Sequence, residues 1–238
     1  MDLKDKVAII TGASSGIGRA VARNLNEVGV KLVITARRAD RLEKLAKELH
    51  AAVPIPGDIT DPFLPQKLID TALETFGRCE IVLNNAGIIK VGTIDEVDVN
   101  DICQMVRVNV EAAFRMAYVA LKHFKSTGYG FLLNVSSVVG TKVRPAAGAY
   151  AGTKYAIEAL TESLRMELAK TKIGVACIEP GLVETELHKG WKVHPKESLD
   201  VPIPLQPEDI ARVARFILEQ PDHVRIPRIL ALPTDQSL

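Results

Sequence analysis

The stretch KVAIITGASSGIGRAVARNL, residues 6–25, decides the fold of this chain. An apolar run of strand length is followed by glycines at positions 12, 16 and 18 and then by apolar residues at helical spacing. Glycine permits a tight turn and a close approach of backbone to a ligand, and the N–H groups that begin the next helix attract anions. The unit predicts a pyrophosphate site, although its spacing is not G-x-G-x-x-G and a glycine-rich turn without a ligand is the alternative.

Apolar runs of strand length alternate with helical segments along the rest of the chain. The predicted strands lie in KVAIIT, KLVITA, AVPIP, EIVLNN, FLLNVS, IGVACIEP and RILAL, and the predicted helices span about residues 16–28, 40–50, 62–75, 101–126, 149–171 and 207–219. Because the runs lack polar alternation, their strands are expected to be buried on both faces. The pattern predicts an α/β fold of the Rossmann type, with a doubly wound, mostly parallel seven-stranded sheet and helices on both faces.

Composition excludes several classes of protein. The 238 residues carry a net charge of +1, which gives no electrostatic reason to expect nucleic acid or acidic membranes as partners. Three cysteines far apart in sequence indicate reduced thiols and a cytoplasmic location, and neither a signal peptide nor a membrane-spanning run is expected. The five histidines show no spacing typical of metal ligands, so no metal site is predicted, and a G-x-S-x-G hydrolase elbow is absent.

The end of the second predicted strand indicates which dinucleotide is bound. An NAD site would carry a carboxylate there, but KLVITA ends with Ala36 and is followed by Arg37, Arg38 and Arg41. Guanidinium groups bind phosphate, so the pattern favours NADP over NAD unless these arginines merely begin a solvated helix. Asp58, after the third strand, is expected to accept a hydrogen bond from an adenine amino group or to cap the next helix.

Tyr150 and Lys154 are separated by four positions in a predicted helix, so both project from one face. Upstream, Ser137 follows a predicted strand, where a parallel sheet places its ligand crevice. Lowering a tyrosine pKa from ~10 to ~7 requires ~4 kcal/mol, and one ammonium ~4 Å away supplies about that at an effective dielectric of ~20. The trio therefore predicts a general acid/base, although a core-edge tyrosine and a solvated lysine would be the commoner assignment for the pair alone.

Further motifs occur in a recognisable order: NNAG at 84–87, Asn109 in VRVNV, NVSSVVG around Ser137, YAGTK at 150–154 and PGLVET at 180–185. With TGASSGIG, they resemble the single-domain branch of the short-chain dehydrogenase/reductases over residues 6–220 or so. The resemblance implies a Rossmann sheet with a Ser-Tyr-Lys centre extended by Asn109. It also implies one NAD(P)-binding domain over residues 1–238, with the irregular residues 182–207 forming a substrate lid, here called the lid segment.

The resemblance assigns roles to these residues. Tyr150 would be the general acid/base, Ser137 would polarise the substrate oxygen, Lys154 would hold the nicotinamide ribose and lower the tyrosine pKa, and Asn109 would support a proton relay through water. Ser14, beside Arg37, would contact a 2′-phosphate, while Val183 and Thr185 would bind the carboxamide. The full expected cofactor set is Gly12, Ser14, Ser15, Gly16, Ile17, Gly18, Arg37, Arg38, Asp58, Ile59, Asn85, Ala86, Gly87, Tyr150, Lys154, Pro180, Gly181, Val183 and Thr185.

The predicted activity is NADP-dependent interconversion of a carbonyl and an alcohol, with a small-molecule substrate and a homodimer or homotetramer by analogy. Two alternatives are a 3-oxoacyl-[acyl-carrier-protein] reductase and a non-catalytic NADP-binding regulatory module. The tail PRILALPTDQSL lacks the glycine-rich strand of many such reductases and is more similar to the tails of 3-hydroxy-acid, amino-alcohol and general carbonyl reductases. The candidate substrate pocket comprises residues 138–147, including Arg144, and the lid segment, residues 182–207. Within the lid segment, Leu187, Trp191 and Val193 would form an apolar wall and His188, Lys192 and His194 would make polar contacts.

Overall fold

A computed structural model of the chain describes residues 1–189, 191 and 195–237. Its sheet has seven strands in the order β3-β2-β1-β4-β5-β6-β7, and every neighbouring pair is parallel. The strands are β1 (Val7–Thr11), β2 (Lys31–Ala36), β3 (Ala52–Pro56), β4 (Ile81–Asn84), β5 (Gly130–Val135), β6 (Ile173–Pro180) and β7 (Arg228–Ala231). The predicted fold class is confirmed, and the sheet is parallel throughout.

Helices cover both faces of this sheet. They are α1 (Gly16–Glu27), α2 (Ala39–Glu48), α3 (Leu64–Phe76), α4 (Val99–Val106), α5 (Ala113–Thr127), α6 (Gly148–Glu167), α7 (Pro195–Ser198) and α8 (Pro207–Leu218). The single helix expected over residues 101–126 is instead α4 and α5 joined by a π-helical stretch, Arg107–Ala112. This stretch widens the helix at Asn109, one of the predicted catalytic residues.

The side chains of β1 show why its sequence lacks polar alternation. Ala8 and Ile10 belong to the core packed against α1 and α8, whereas Val7 and Ile9 belong to the core on the opposite face, with α3 and α5. All four residues are fully buried. Because both faces of the strand are covered, each position must be apolar, as expected for a doubly wound sheet.

The strand order reverses direction between β1 and β4, and such a reversal opens a crevice beyond the carboxyl ends of the strands. Thr11, which ends β1, ties the two strands together because its Oγ1 accepts hydrogen bonds from the N–H groups of Asn85 and Ala86, both at 2.9 Å. The glycine turn after β1 and the NNAG segment after β4 therefore border one crevice.

The lid segment is more ordered than its sequence pattern indicated. Val183 forms a parallel bridge with Leu205, a 3₁₀ turn covers Glu186–His188, and α7 follows. Gly190, Lys192, Val193 and His194 lie outside the described residues. Among the helices that the structure describes, none is long and apolar enough to cross a membrane.

Candidate functional site

A cleft of about 490 Å³ lies at the carboxyl edge of the sheet. It is lined by the glycine turn, the ends of β2, β4 and β5, the start of α6 and the lid segment. Every residue of the expected cofactor set lines it except Gly18. A Cβ atom at Gly18 would lie 2.5 Å from the carbonyl oxygen of Gly12, so this glycine serves the close packing of α1 against the turn.

The start of α1 has the features of an anion site. Gly12 and Gly16 adopt left-handed conformations, with φ of 68° and 51°, which bring the chain round so that α1 begins at the cleft. The first turn, GIGR, carries no carboxylate. The side chain of Ser15 accepts a hydrogen bond from Arg38 rather than capping the helix. The N–H groups at the helix start therefore remain suited to a pyrophosphate.

The arginines after β2 meet the glycine turn, but through Arg38 rather than Arg37. Nε and Nη2 of Arg38 donate to Ser14 Oγ at 3.2 and 3.0 Å, and Nη2 also donates to Ser15 Oγ at 2.7 Å. Arg38 is thus the arginine that contacts Ser14, and the expected contact of Ser14 with a 2′-phosphate stays a prediction. Arg38 makes the contact because it forms the N-cap of α2, in extended conformation at the edge of the cleft.

Arg37 lines the cleft close to Asp58. The N–H and hydroxyl of Thr60 donate to Asp58 Oδ1 at 2.9 and 2.8 Å. These hydrogen bonds, assisted by the positive charge of Arg37, lower the pKa of Asp58. The carboxylate shapes the turn before α3 but does not cap that helix, whose N-cap is Phe63, and the expected contact with an adenine amino group stays a prediction.

Sequence reasoning missed Glu186, which begins the 3₁₀ turn of the lid segment. Its carboxylate accepts from Nη1 of Arg38 at 2.7 Å and from Nη1 of Arg41, also at 2.7 Å. These hydrogen bonds lower the pKa of Glu186 to about 2. Nothing in the local sequence signals this contact, because 148 positions separate Glu186 from Arg38.

Ser137, Tyr150 and Lys154 converge where the cleft passes between β5 and α6. Ser137 forms the N-cap of the 3₁₀ turn Val138–Gly140: its Oγ accepts from the N–H of Val139 at 3.4 Å and donates to the carbonyl oxygen of Pro180 at 3.5 Å. Lys154 Nζ donates to the carbonyl oxygen of Val135 at 3.0 Å and lies 5.8 Å from the centre of the Tyr150 ring. Both Tyr150 and Lys154 are buried.

The expected low pKa of Tyr150 is not found in this structure. Burial raises the pKa of Tyr150 to about 12 and outweighs the opposing effects of the Ser137 hydrogen bond and the Arg144 charge. Burial likewise lowers the pKa of Lys154 to about 8. The expected low pKa assumes that Lys154 is fully charged and that Tyr150 is solvated. Both side chains are buried, and burial penalises the charged form of each.

Asn109 stands behind the cleft rather than at its surface. Its Oδ1 accepts from the N–H of Ile88 at 2.9 Å, and its Nδ2 donates to the carbonyl oxygen of Ile88 at 2.8 Å and to Thr153 Oγ1 at 3.2 Å. The side chain therefore clamps the loop after β4 to α6. This geometry makes Asn109 a positioning residue for the loop, and the expected proton relay remains a prediction.

The substrate side of the cleft is only partly as expected. Val138, Arg144, Leu187, His188 and Trp191 line it, and the His188 and Trp191 rings pack edge to face at 5.1 Å. The expected contributions of Lys192, Val193 and His194 concern residues outside the described part of the chain. Pro195 and Leu199 of the lid segment also line it, whereas Gln236 is a lining residue that sequence reasoning missed.

Gln236 reaches the cleft from the segment after β7. Its Oε1 accepts from the N–H of Leu182 at 2.7 Å. The contact ties the C-terminal segment to the start of the lid segment. A polar residue in an irregular tail gives no sequence signal for such a position.

Comparisons with known proteins agree with this geometry. The sequence model of the family described as short chain dehydrogenase matches residues 6–196. An uncharacterized oxidoreductase of Staphylococcus aureus (strain N315) is 34% identical, with 97% of this chain and 98% of the relative covered.

Two solved structures are similar over nearly the whole chain. An alcohol dehydrogenase from the archaeon Thermococcus sibiricus, complexed with 5-hydroxy-NADP, is 32% identical with a TM-score of 0.87 and 98% of each chain covered. A 3-ketoacyl-(acyl-carrier-protein) reductase from Brucella melitensis, complexed with NADH, is 31% identical with a TM-score of 0.88, with 96% of this chain and 97% of that chain covered.

Proposed function

Because this chain belongs to the short-chain dehydrogenase family and is an NAD(P)-dependent oxidoreductase, we propose that it interconverts a carbonyl and an alcohol with NADP(H), using Tyr150 as the proton donor and acceptor. The observation that carries the proposal is the convergence of Ser137, Tyr150 and Lys154 at one end of a cleft whose other end holds Ser14 and Arg38. One end suits a reacting oxygen and the other an adenosine phosphate.

The nicotinamide cofactor supplies or accepts the hydride, and the protein manages the proton. With a pKa raised to about 12 by burial, Tyr150 carries its proton at neutral pH, which is the form needed to donate to a carbonyl oxygen during reduction. The Ser137 hydroxyl, which lines the same cleft as Tyr150, donates to the same substrate oxygen and polarises it. Lys154 holds the nicotinamide ribose and provides positive charge that stabilises the phenolate left after proton transfer.

The pH dependence should differ between the two directions. Reduction uses protonated Tyr150 and is expected to hold its rate through neutral pH, while alcohol oxidation needs the phenolate and should rise with pH toward the tyrosine pKa. Replacing Lys154 by methionine should lower the oxidation rate below about pH 8, where Lys154 carries the charge that favours the phenolate, and should change the rate less above that pH. Initial rates over a pH series test this, and oxidation rates that do not change from about pH 6 to about pH 9 would contradict it.

The preference for NADP over NAD is supported by the guanidinium groups at the edge of the cleft. Arg38 is held against Ser14 and Ser15 by three hydrogen bonds, and Ala36 leaves the end of β2 without a carboxylate. The two solved structures described above contain an NADP derivative and NADH, so likeness alone selects neither cofactor. The preference therefore depends on this chain's own residues.

The substrate is proposed to be a medium-sized apolar ketone, aldehyde or diketone, or a carboxylate-bearing relative of these. Leu187 and Trp191 provide apolar surface, and Arg144 provides the charge that would accept a carboxylate. A panel of carbonyls and alcohols, followed by nicotinamide absorbance, tests this class. A 3-oxoacyl chain on acyl carrier protein is the competing substrate, and a marked advantage of the carrier-bound form over the free ketone would favour it.

We propose that the lid segment closes over bound ligands in this single domain. Its described residues line both the cofactor side, at Thr185, and the substrate side, at Trp191. Hydrogen exchange in residues 182–207 is expected to be fast without ligand and slower with NADP and substrate together, because closure protects the backbone. Unchanged exchange on ligand addition would contradict closure.

A homodimer or homotetramer in the cytoplasm completes the proposal. Tyr118 on α5 and Tyr155 and Met166 on α6 are exposed apolar side chains that association of two chains through these helices would bury. Cys79, Cys103 and Cys177 are free, as in a reducing compartment. Light scattering after size-exclusion chromatography tests the assembly, and a mass equal to one chain at all concentrations would contradict it.

A further inference from the structure

Glu186 pairs with two arginines, Arg38 in the lining of the cofactor cleft and Arg41 further along α2. One carboxylate oxygen accepts from both Arg38 and Arg41 at 2.7 Å, and the other accepts from Arg41, also at 2.7 Å. Arg38 remains hydrogen-bonded to Ser14 and Ser15 at the same time. The carboxylate thus occupies guanidinium donors from the side of the lid segment, while the glycine turn occupies the others.

These guanidinium donors are the ones that an adenosine 2′-phosphate would use. A carboxylate and a phosphate monoester bind guanidinium through the same N–H fork. A phosphate monoester also carries ~1.5 to 2 negative charges near neutral pH, so it would repel an adjacent carboxylate. Glu186 and a 2′-phosphate therefore compete for one pair of arginines.

We propose that Glu186 is a specificity-determining residue for the cofactor, an internal anion that holds Arg38 and Arg41 in the cofactor-free enzyme and that the 2′-phosphate of NADP(H) must displace. The proposal rests on the proposed use of NADP(H). It implies that Glu186 weakens the binding of 2′-phosphorylated nucleotides specifically. It also implies that binding of the 2′-phosphate releases the Glu186 side chain from the two arginines.

The expected gain in affinity depends on how exposed the three paired side chains are to solvent. The side chains of Arg38, Arg41 and Glu186 are 41%, 40% and 42% exposed, so solvent screens the ion pairs. Two arginines on one carboxylate contribute more free energy than a single surface ion pair, but only modestly more. We expect Glu186→Gln to bind 2′,5′-ADP about 5- to 10-fold more tightly than the wild type.

The experiment is calorimetric titration of wild type, Glu186→Gln and a control with 2′,5′-ADP and with 5′-AMP. The control is Glu43→Gln, which removes the same charge from an exposed position of α2 outside the cleft lining. Tighter binding of 2′,5′-ADP by Glu186→Gln, with 5′-AMP affinity unchanged and with no effect of Glu43→Gln, supports the proposal. Thermal unfolding of each variant checks that all are folded.

Three results would overturn it. Weaker binding of 2′,5′-ADP by Glu186→Gln would mean that the carboxylate orders the arginines for the phosphate. An unchanged affinity would mean that no competition exists, and an equal gain for 5′-AMP or for Glu43→Gln would mean a general effect of charge. Failure of NADP preference itself is recognised separately, because the wild type would then bind 2′,5′-ADP no better than 5′-AMP.

Discussion

Replacing Tyr150 by phenylalanine is expected to lower kcat by at least ~10²-fold and as much as ~10⁴-fold, the range attributed to general acid–base catalysis. The change removes only the hydroxyl that donates the proton. Burial of the ring is retained, so the fold and the cofactor cleft should be preserved. Steady-state kinetics in the reducing direction measure the loss, and fluorescence titration measures the affinity for NADPH, which should be unchanged.

Tyr155→Phe is the matched control for this experiment. It lies on the same helix, α6, but is 41% exposed and outside the cleft lining. Its kcat should equal that of the wild type. If Tyr150→Phe retained near-normal turnover with its NADPH affinity intact, another group would carry the proton, and the assignment of Tyr150 would be wrong.

Replacing Arg38 by glutamine is expected to reduce kcat/KM with NADPH by roughly 30-fold, the equivalent of about 2 kcal/mol for charge-assisted hydrogen bonds to a phosphate. The same variant should leave kcat/KM with NADH nearly unchanged, because NADH has no 2′-phosphate. Adding Ala36→Asp should favour NADH further, since a carboxylate at the end of β2 can accept from ribose hydroxyls and repels a phosphate.

The Arg37→Gln variant shows which of the two neighbouring arginines, Arg37 or Arg38, contributes more to activity with NADPH. Arg37 lies near Asp58, whereas Arg38 contacts Ser14 and Ser15, so the Arg37 variant should lose less activity with NADPH. Equal kcat/KM values for NADPH and NADH in the wild type would contradict the proposed preference outright. A larger loss of kcat/KM with NADPH in Arg37→Gln than in Arg38→Gln would mean that Arg37 is the arginine that binds the phosphate.

The fold was predictable because its signals are local. β2 and β6 coincide with the apolar runs read from the sequence, since strands covered on both faces are mostly apolar. β3 coincides with its run too, although this edge strand is only partly buried. The glycine turn and the Tyr150–Lys154 spacing were equally visible, because each lies within one short stretch. The π-helical stretch at Asn109 was not, because its residues show the same apolar spacing as the helices on either side.

The parts of the site that were missed depend on tertiary contacts. Glu186 and Gln236 reach the cleft from segments with no pattern of their own, and only the fold brings them to Arg38 and Leu182. The low pKa predicted for Tyr150 is wrong for a related reason. The spacing in the sequence shows one neighbouring charge, that of Lys154. The burial that opposes ionisation of Tyr150 is set by the whole surrounding core.

The measurement that tests the central claim most directly is the oxidation of NADPH by the purified wild type, side by side with Tyr150→Phe, across a panel of ketones, aldehydes and diketones. The account predicts that at least one carbonyl is reduced to its alcohol with equimolar consumption of NADPH, and that Tyr150→Phe lowers this turnover at least ~10²-fold while still binding NADPH. If the wild type bound NADPH but neither reduced any carbonyl nor oxidised the matching alcohols, the protein would be a nucleotide-binding module without this chemistry.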